Sequence, residues 1–159
     1  MTEDLPPDNP AALTSFIEAR YHARHREQLP DLTALASRVE RVHAGAAKVP
    51  AGLAAVLQLM IGELEVHMKK EELILFPAIR RGGAIGLENP IAVMRADHRD
   101  HEAMIAQIRE LTDNLPLPDG ACRTWTALYE GLAGFLDDFD AHLQLENEVL
   151  FPQFEPQGV

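Results

Sequence analysis

Two stretches, HMKKEELILFP (residues 67–77) and HLQLENEVLFP (142–152), align without a gap at an offset of 75, and each carries H-x-x-x-E followed by a Leu-Phe-Pro close. Towards the N-terminus of each, His22-x-x-His25 aligns with His98-x-x-His101 at an offset of 76, so the repeat covers a complete two-helix unit. Apolar residues support the helices. Leu53, Leu57, Met60, Leu64, Met68 and Leu75 recur at helical steps, and Leu128, Leu132, Phe135, Phe139, Leu143 and Leu150 form a matching stripe. No stretch alternates in the manner of an exposed strand. Turn-forming residues at 43–52, 80–90 and 113–120 separate the helical segments. Asn9-Pro10 and Asn89-Pro90 read as helix starts, an N-cap followed by proline in the first turn. Leu75-Phe76-Pro77 and Leu150-Phe151-Pro152 read as helix ends, because proline disfavours helix for the residue before it. The expected fold is all-α, an up-down four-helix bundle built from two pseudo-repeated helical hairpins. It occupies residues 10–154, between a disordered or extended N-terminal segment (1–9) and a C-terminal tail (155–159).

The 159 residues are 47% hydrophobic and 25% charged, the balance of one soluble domain. Twenty-five acidic against 14 basic residues give a formal charge of −11, which repels nucleic-acid phosphates and anionic lipid. Neither nucleic acid nor a membrane is an expected partner. Cys122 is the only cysteine, so one chain can form no internal disulfide, thiolate zinc site or cysteine-held cluster. With neither a signal-like start nor a run of apolar residues long enough to span a bilayer, a cytoplasmic location is expected.

His67 and Glu71 share a helix face with Leu64 and Leu75, and His142 and Glu146 lie between Phe139 and Leu150. A carboxylate in an apolar core costs several kcal/mol unless it is paired, protonated or metal-bound. A single H-x-x-x-E is commonly a hydrogen-bonded pair within a core. Two copies, joined by His22 and His98, bring four imidazoles and two carboxylates to a bundle centre, and that set suits a pair of first-row metals. Iron is preferred over zinc, with manganese also compatible, and each Glu can bridge both ions. The wheel and the repeat disagree over the first helix. Nine residues separate Leu13 from His22, about 180° of rotation, whereas His25 lies nearer the Leu13, Ile17, Tyr21 stripe. The repeat pairs His22 with His98, leaving His25 and His101 as outer histidines or alternative ligands. Asp97 and Glu63 sit at the edge of the metal-facing stripe. Trp125 and Tyr129 are expected to anchor the last helix, and Cys122 to be an ordinary thiol.

YHARHREQLP, VERVHA, HMKKEELILFP, Asp97-His98 and HLQLENEVLFP together resemble the hemerythrin-like domain of the Repair of Iron Centers family, from about residue 13 to 154. The resemblance implies a hemerythrin-like bundle with two carboxylate-bridged irons, oxo-bridged when oxidised. It assigns His22, His67, Glu71, His98, His142 and Glu146 as ligands, with Glu71 and Glu146 bridging, and adds His43 as a fifth imidazole. On an unbroken helix His43 would stand about 31 Å from His22, and only a reversal or sharp kink near Leu29-Pro30 would return it to the site. The implied function is a stress-response protein that binds nitric oxide, donates iron to apo iron–sulfur proteins, or does both. The alternatives are a carrier or sensor of O2 or NO and a di-iron reductase of NO or peroxide. A monomer or weak homo-oligomer is expected. Full-length family members resemble a fusion of this bundle to an N-terminal domain bearing adjacent cysteines. This sequence carries no such pair, so steps that depend on those cysteines are not expected of it.

Overall fold

The computed structural model describes residues 5–156, so the expectations for the first four and last three residues lie outside it. Four helical rods follow one another. The first comprises α1 (Pro10–Ile17), a π-helical turn (Glu18–His22) and α2 (Ala23–Val42). The second comprises α3 (Leu53–Lys70), a π turn (Glu71–Leu75) and α4 (Phe76–Arg80). The third is α5 (Glu88–Leu111) alone. The fourth comprises α6 (Arg123–Gln144), a π turn (Leu145–Leu150) and a 3-10 turn (Phe151–Phe154). α2 packs against α3 and α6, and α3 against α5, which gives the expected all-α bundle. No described helix is long and apolar enough to cross a membrane.

Local chemistry sets most of the rod ends. Asn9 Oδ1 accepts from Ala12 N at 3.1 Å, and Pro10 opens α1 where its missing N–H costs nothing. Gly52, at φ +93°, turns the chain into α3. Glu40, near the end of α2, receives Gly52 N (2.6 Å) and Ala54 N (3.0 Å), so one carboxylate ties the first hairpin together. Asn89-Pro90 does not act as a second copy of Asn9-Pro10. α5 begins earlier, at Glu88, without a side-chain cap, and the buried Leu87 fixes its entry by packing.

Of the two Leu-Phe-Pro helix ends expected from the sequence, the second closes its rod and the first does not, and a π turn accounts for the difference. Phe76 N bonds to Glu71 O, five residues back, so a carbonyl is skipped and Pro77 enters at the start of α4 instead of ending the rod. Pro152 sits in the 3-10 turn that closes the fourth rod. Pro30 is accommodated within α2, which continues to Val42, so no reversal follows Leu29.

The core is in two parts. Leu13, Ile17, Leu75, Phe76, Ile91, Leu150 and Phe151 lie in one apolar cluster. Leu29, Leu57, Leu64, Met68, Leu132, Phe135 and Phe139 lie in a larger one, with Trp125 and Tyr129 buried where α6 begins. Along every rod the two clusters are separated by a layer holding His22 and His25, His67 and Glu71, His98 and His101, or His142 and Glu146, all buried. Gly131 sets the approach of α6 to α2, since a Cβ there would lie 2.7 Å from Leu32 Cδ2. Gly131→Leu is expected to lower unfolding free energy by about 1–3 kcal/mol through overpacking, measurable by urea denaturation.

Candidate metal centre

The π turns carry three of the seven expected ligands: His22, Glu71 and Glu146. A π turn spends one residue more than an α turn, which slips everything beyond it by about 100° around the rod. That slip resolves the disagreement over the first helix. His22 stands about 80° from Leu13 instead of 180°, and both His22 and His25 are fully buried. His22 joins the centre, whereas His25 lies behind His142, its Nε2 3.1 Å from His142 Nδ1.

Two groups of side chains converge in the polar layer: His22, Glu71, His142 and Glu146, and His67, Glu71, His98 and Glu146. Within each group the candidate ligand atoms lie within 4.8 Å of one another, and both carboxylates belong to both groups. His22 Nε2 is 3.1 Å and His67 Nε2 3.4 Å from Glu71 Oε1. His98 Nε2 is 2.9 Å from Glu146 Oε1, and His142 Nε2 is 3.2 Å from Oε2. His67 and His98 bring their Nε2 atoms to 3.2 Å from each other.

The outward nitrogens determine what those inward atoms are. His22 Nδ1 faces Glu72 Oε2 (2.8 Å), His67 Nδ1 faces Asp97 Oδ2 (3.0 Å), and His98 Nδ1 faces Asn147 Oδ1 (2.8 Å). Each of these partners is an acceptor, so each Nδ1 carries the proton and each Nε2 presents a lone pair inwards. Lone pairs therefore meet carboxylate oxygens. Glu71 Oε2, both Glu146 oxygens and His142 Nε2 are buried without an aligned hydrogen-bond partner. A cation satisfies this donor set, and a neutral core does not.

Burial and mutual repulsion shape the titration of the layer. Burial, reinforced by His142, pushes His22 down to about 4, and burial lowers His67 as well. Burial lowers His98 too, but the Glu146 carboxylate 2.9 Å from its Nε2 and the Asn147 oxygen on its Nδ1 outweigh burial and raise it. Burial and the Glu146 charge raise Glu71 well above the usual carboxylate range. Glu146 lies well below that range, since His142 and His98 outweigh its burial.

Aromatic rings wall the site. Phe76 stacks on His22 at 5.8 Å and Phe151 on His98 at 5.7 Å, which gives the repeated Leu-Phe-Pro close its purpose. Tyr21 stacks on His142 at 5.4 Å. His101, buried like His25, stands edge-on to His67 at 5.1 Å. His43 is not brought to the centre. It caps α2, with Nε2 3.1 Å from Cys122 Sγ and its ring 4.9 Å from Trp125. The unbroken passage through Pro30 removes the reversal that a fifth imidazole would need. Cys122 caps α6, its sulfur accepting from Trp125 N at 3.4 Å, and that bond together with His43 lowers its pKa. Glu63 is exposed, whereas Asp97 reaches the layer. Sequence reasoning missed Glu72 and Asn147 as imidazole partners; the repeat itself pairs them, at the same offset of 75.

Residues 17–154 match the Hemerythrin HHE cation binding domain. The chain belongs to that family. Its curated relatives include the iron-sulfur cluster repair protein YtfE of Edwardsiella ictaluri, 48% identical over 141 residues, which are 89% of this chain and 64% of that protein. The proteins of the same name from Yersinia pseudotuberculosis and Yersinia pestis are 49% identical over the same length and coverage. The chain thus spans 64% of the length of those relatives. The family's cation-binding role fits the buried His/Glu layer, where carboxylate and imidazole atoms lack other partners.

Proposed function

We propose that the layer holds two iron ions bridged by Glu71 and Glu146, one capped by His22 and His142 and the other by His67 and His98. The observation that carries this reading is the sharing of both carboxylates between two four-residue groups. We further infer a cytoplasmic stress-response role, binding nitric oxide and yielding iron to damaged iron–sulfur proteins; the last of these is in line with the names of the relatives. When bound, the iron pair supplies one-electron chemistry and open positions for a diatomic ligand. The chain's own residues do the rest. Glu72, Asp97 and Asn147 hold three imidazoles with their Nε2 atoms inwards. Phe76 and Phe151 keep water from the rings, and the absence of thiolate from the ligand set favours release over permanent retention. The proton that Glu71 favours in the metal-free centre must leave on loading, which makes iron uptake rise with pH.

The test is iron content with absorption spectra in both redox states, followed by mixing with an apo iron–sulfur enzyme. Two irons per chain and recovery of enzyme activity above that given by equal free ferrous iron are expected. One zinc per chain would overturn the centre, and absence of extra recovery would overturn donation. Reversible O2 binding would favour a carrier, and steady NO turnover with a reductant a reductase.

A further inference from the structure

The two halves of the repeat support their metal-facing imidazoles differently, and the differences are correlated. His67 has a direct carboxylate, Asp97, on its Nδ1. The position equivalent to Asp97 in the other half is Tyr21, whose ring stacks on His142. His142 Nδ1 instead meets His25 Nε2 at 3.1 Å. Since His142 turns Nε2 to the carboxylates, its Nδ1 is the donor and His25 Nε2 the acceptor, which leaves the proton of His25 on Nδ1. That nitrogen and Gln28 Oε1, three residues further along α2, are both buried without an aligned hydrogen-bond partner, so a donor and an acceptor on the same helix each lack what the other offers. Gln28 Nε2 then donates to Asp138 Oδ2 at 3.1 Å. Arg24 Nε (2.8 Å) and Arg20 Nη2 (3.1 Å) hold Asp138 from the surface side.

In the other half none of this is available. The equivalents of His25, Gln28 and Asp138 are His101, Met104 and Glu63, and those of Arg20 and Arg24 are Ala96 and Asp100. Met104 can neither accept from His101 nor donate onwards, so the buried His101 Nδ1 meets no oxygen in the place of Gln28, and Glu63 is exposed. Where the direct carboxylate exists the residues for such a chain are missing, and where it is missing they are present.

We propose that His25, Gln28 and Asp138 form a positioning relay that fixes the tautomer and orientation of His142, substituting for the direct carboxylate that serves His67. Every N–H in the relay points away from the centre, so a surface-anchored carboxylate sets which nitrogen of His142 faces the metal. The relay rests on the reading of the layer as a metal centre, but its primary test needs no metal.

The decisive measurement is nitrogen-15 NMR of the histidines in the folded, metal-free full-length chain. His142 is expected as a single Nδ1-protonated tautomer, and an Nε2-protonated ring or a mixture in the unaltered chain overturns the relay. Gln28→Met, which installs the residue of the other half, should convert His142 to a mixture of tautomers. It should also speed chelator removal of one of the two irons by roughly 10- to 100-fold. Gln28→Glu, which keeps an acceptor against His25, should restore the single tautomer, and Met104→Gln should leave His142 and both release rates unchanged. A single tautomer and unaltered release in Gln28→Met would also overturn it. Because the tautomer is read without metal, failure of the relay is distinct from a chain that binds no iron.

Discussion

Glu71→Leu is expected to make the metal-free protein more stable and to abolish its capacity to hold two irons. The carboxylate is fully buried, and its Oε2 has no aligned hydrogen-bond partner. Burial and the Glu146 charge hold Glu71 well above its usual range, so the metal-free fold disfavours its ionised form. Met68 and Leu75 lie on the same stripe one turn to either side, so an apolar side chain finds apolar neighbours. A buried polar group left without a partner costs about 1–3 kcal/mol, and a gain of that order is expected here for the metal-free fold. The metal-loaded state shows the opposite sign. Glu71 belongs to both ligand groups, so its loss removes an oxygen from each, and the stabilisation that iron gives the unaltered protein should vanish. Thermal denaturation with and without ferrous iron, alongside iron content, reads both effects. Glu148→Leu, on the exposed face of the matching turn in the fourth rod, is the control and should leave iron content unchanged. A variant that still binds two irons, or whose metal-free form loses stability as an ordinary core deletion does, would contradict the assignment.

This opposition between metal-free stability and metal binding explains which parts of the molecule could be read in advance. Helices and hairpins follow from the repeat and the apolar stripes, because a period of 3.6 and a gapless alignment both survive in one dimension. His67–Glu71 and His142–Glu146 were legible for the same reason: a charged residue inside an apolar stripe conflicts with the pattern unless it has a use. The phase of the first helix was not legible. The π turn at Glu18–His22 shifts His22 by one residue's rotation without any proline or glycine to mark it. Leu-Phe-Pro suggested helix ends, yet its function lies in the phenylalanine, which plates the imidazole of another rod. His43 shows the limit of resemblance: a family position can be shared while the geometry of α2 leaves it with Cys122 and Trp125, at the far end of the rod from His22. The partners of the imidazoles depend on which rods pack together, and only the pairing of Glu72 with Asn147 left a trace in the alignment.

The same buried imidazoles predict that the metal-free protein unfolds in mild acid. Burial, reinforced by His142, pushes His25 down to about 2 and His22 down to about 4, and burial with the neighbouring His67 pushes His101 down to about 4. An unfolded histidine titrates near 6.5. Between that value and the folded one, the unfolded chain binds protons that the folded chain refuses, so stability falls as pH falls. The contribution of all three is therefore fully present above pH 6.5 and is lost progressively below it. From pH 6.5 to 4.5 each group removes on the order of 2 kcal/mol, and three together approach the whole stability of an ordinary domain. Glu71 acts in the opposite direction. Its raised pKa means the folded chain keeps a proton that the unfolded chain gives up, so this group destabilises the metal-free fold as pH rises above the usual carboxylate range. The metal-free protein should thus be most stable near neutrality and lose most of its urea midpoint by about pH 4.5. Iron changes the alkaline side alone: it requires Glu71 ionised and the imidazoles neutral, so the difference between loaded and metal-free midpoints should widen as pH rises above the usual carboxylate range. Urea midpoints measured at half-unit intervals, with and without iron, test both slopes, and a metal-free midpoint that stays flat from pH 7 to 4.5 would show that these histidines are not buried in their neutral form.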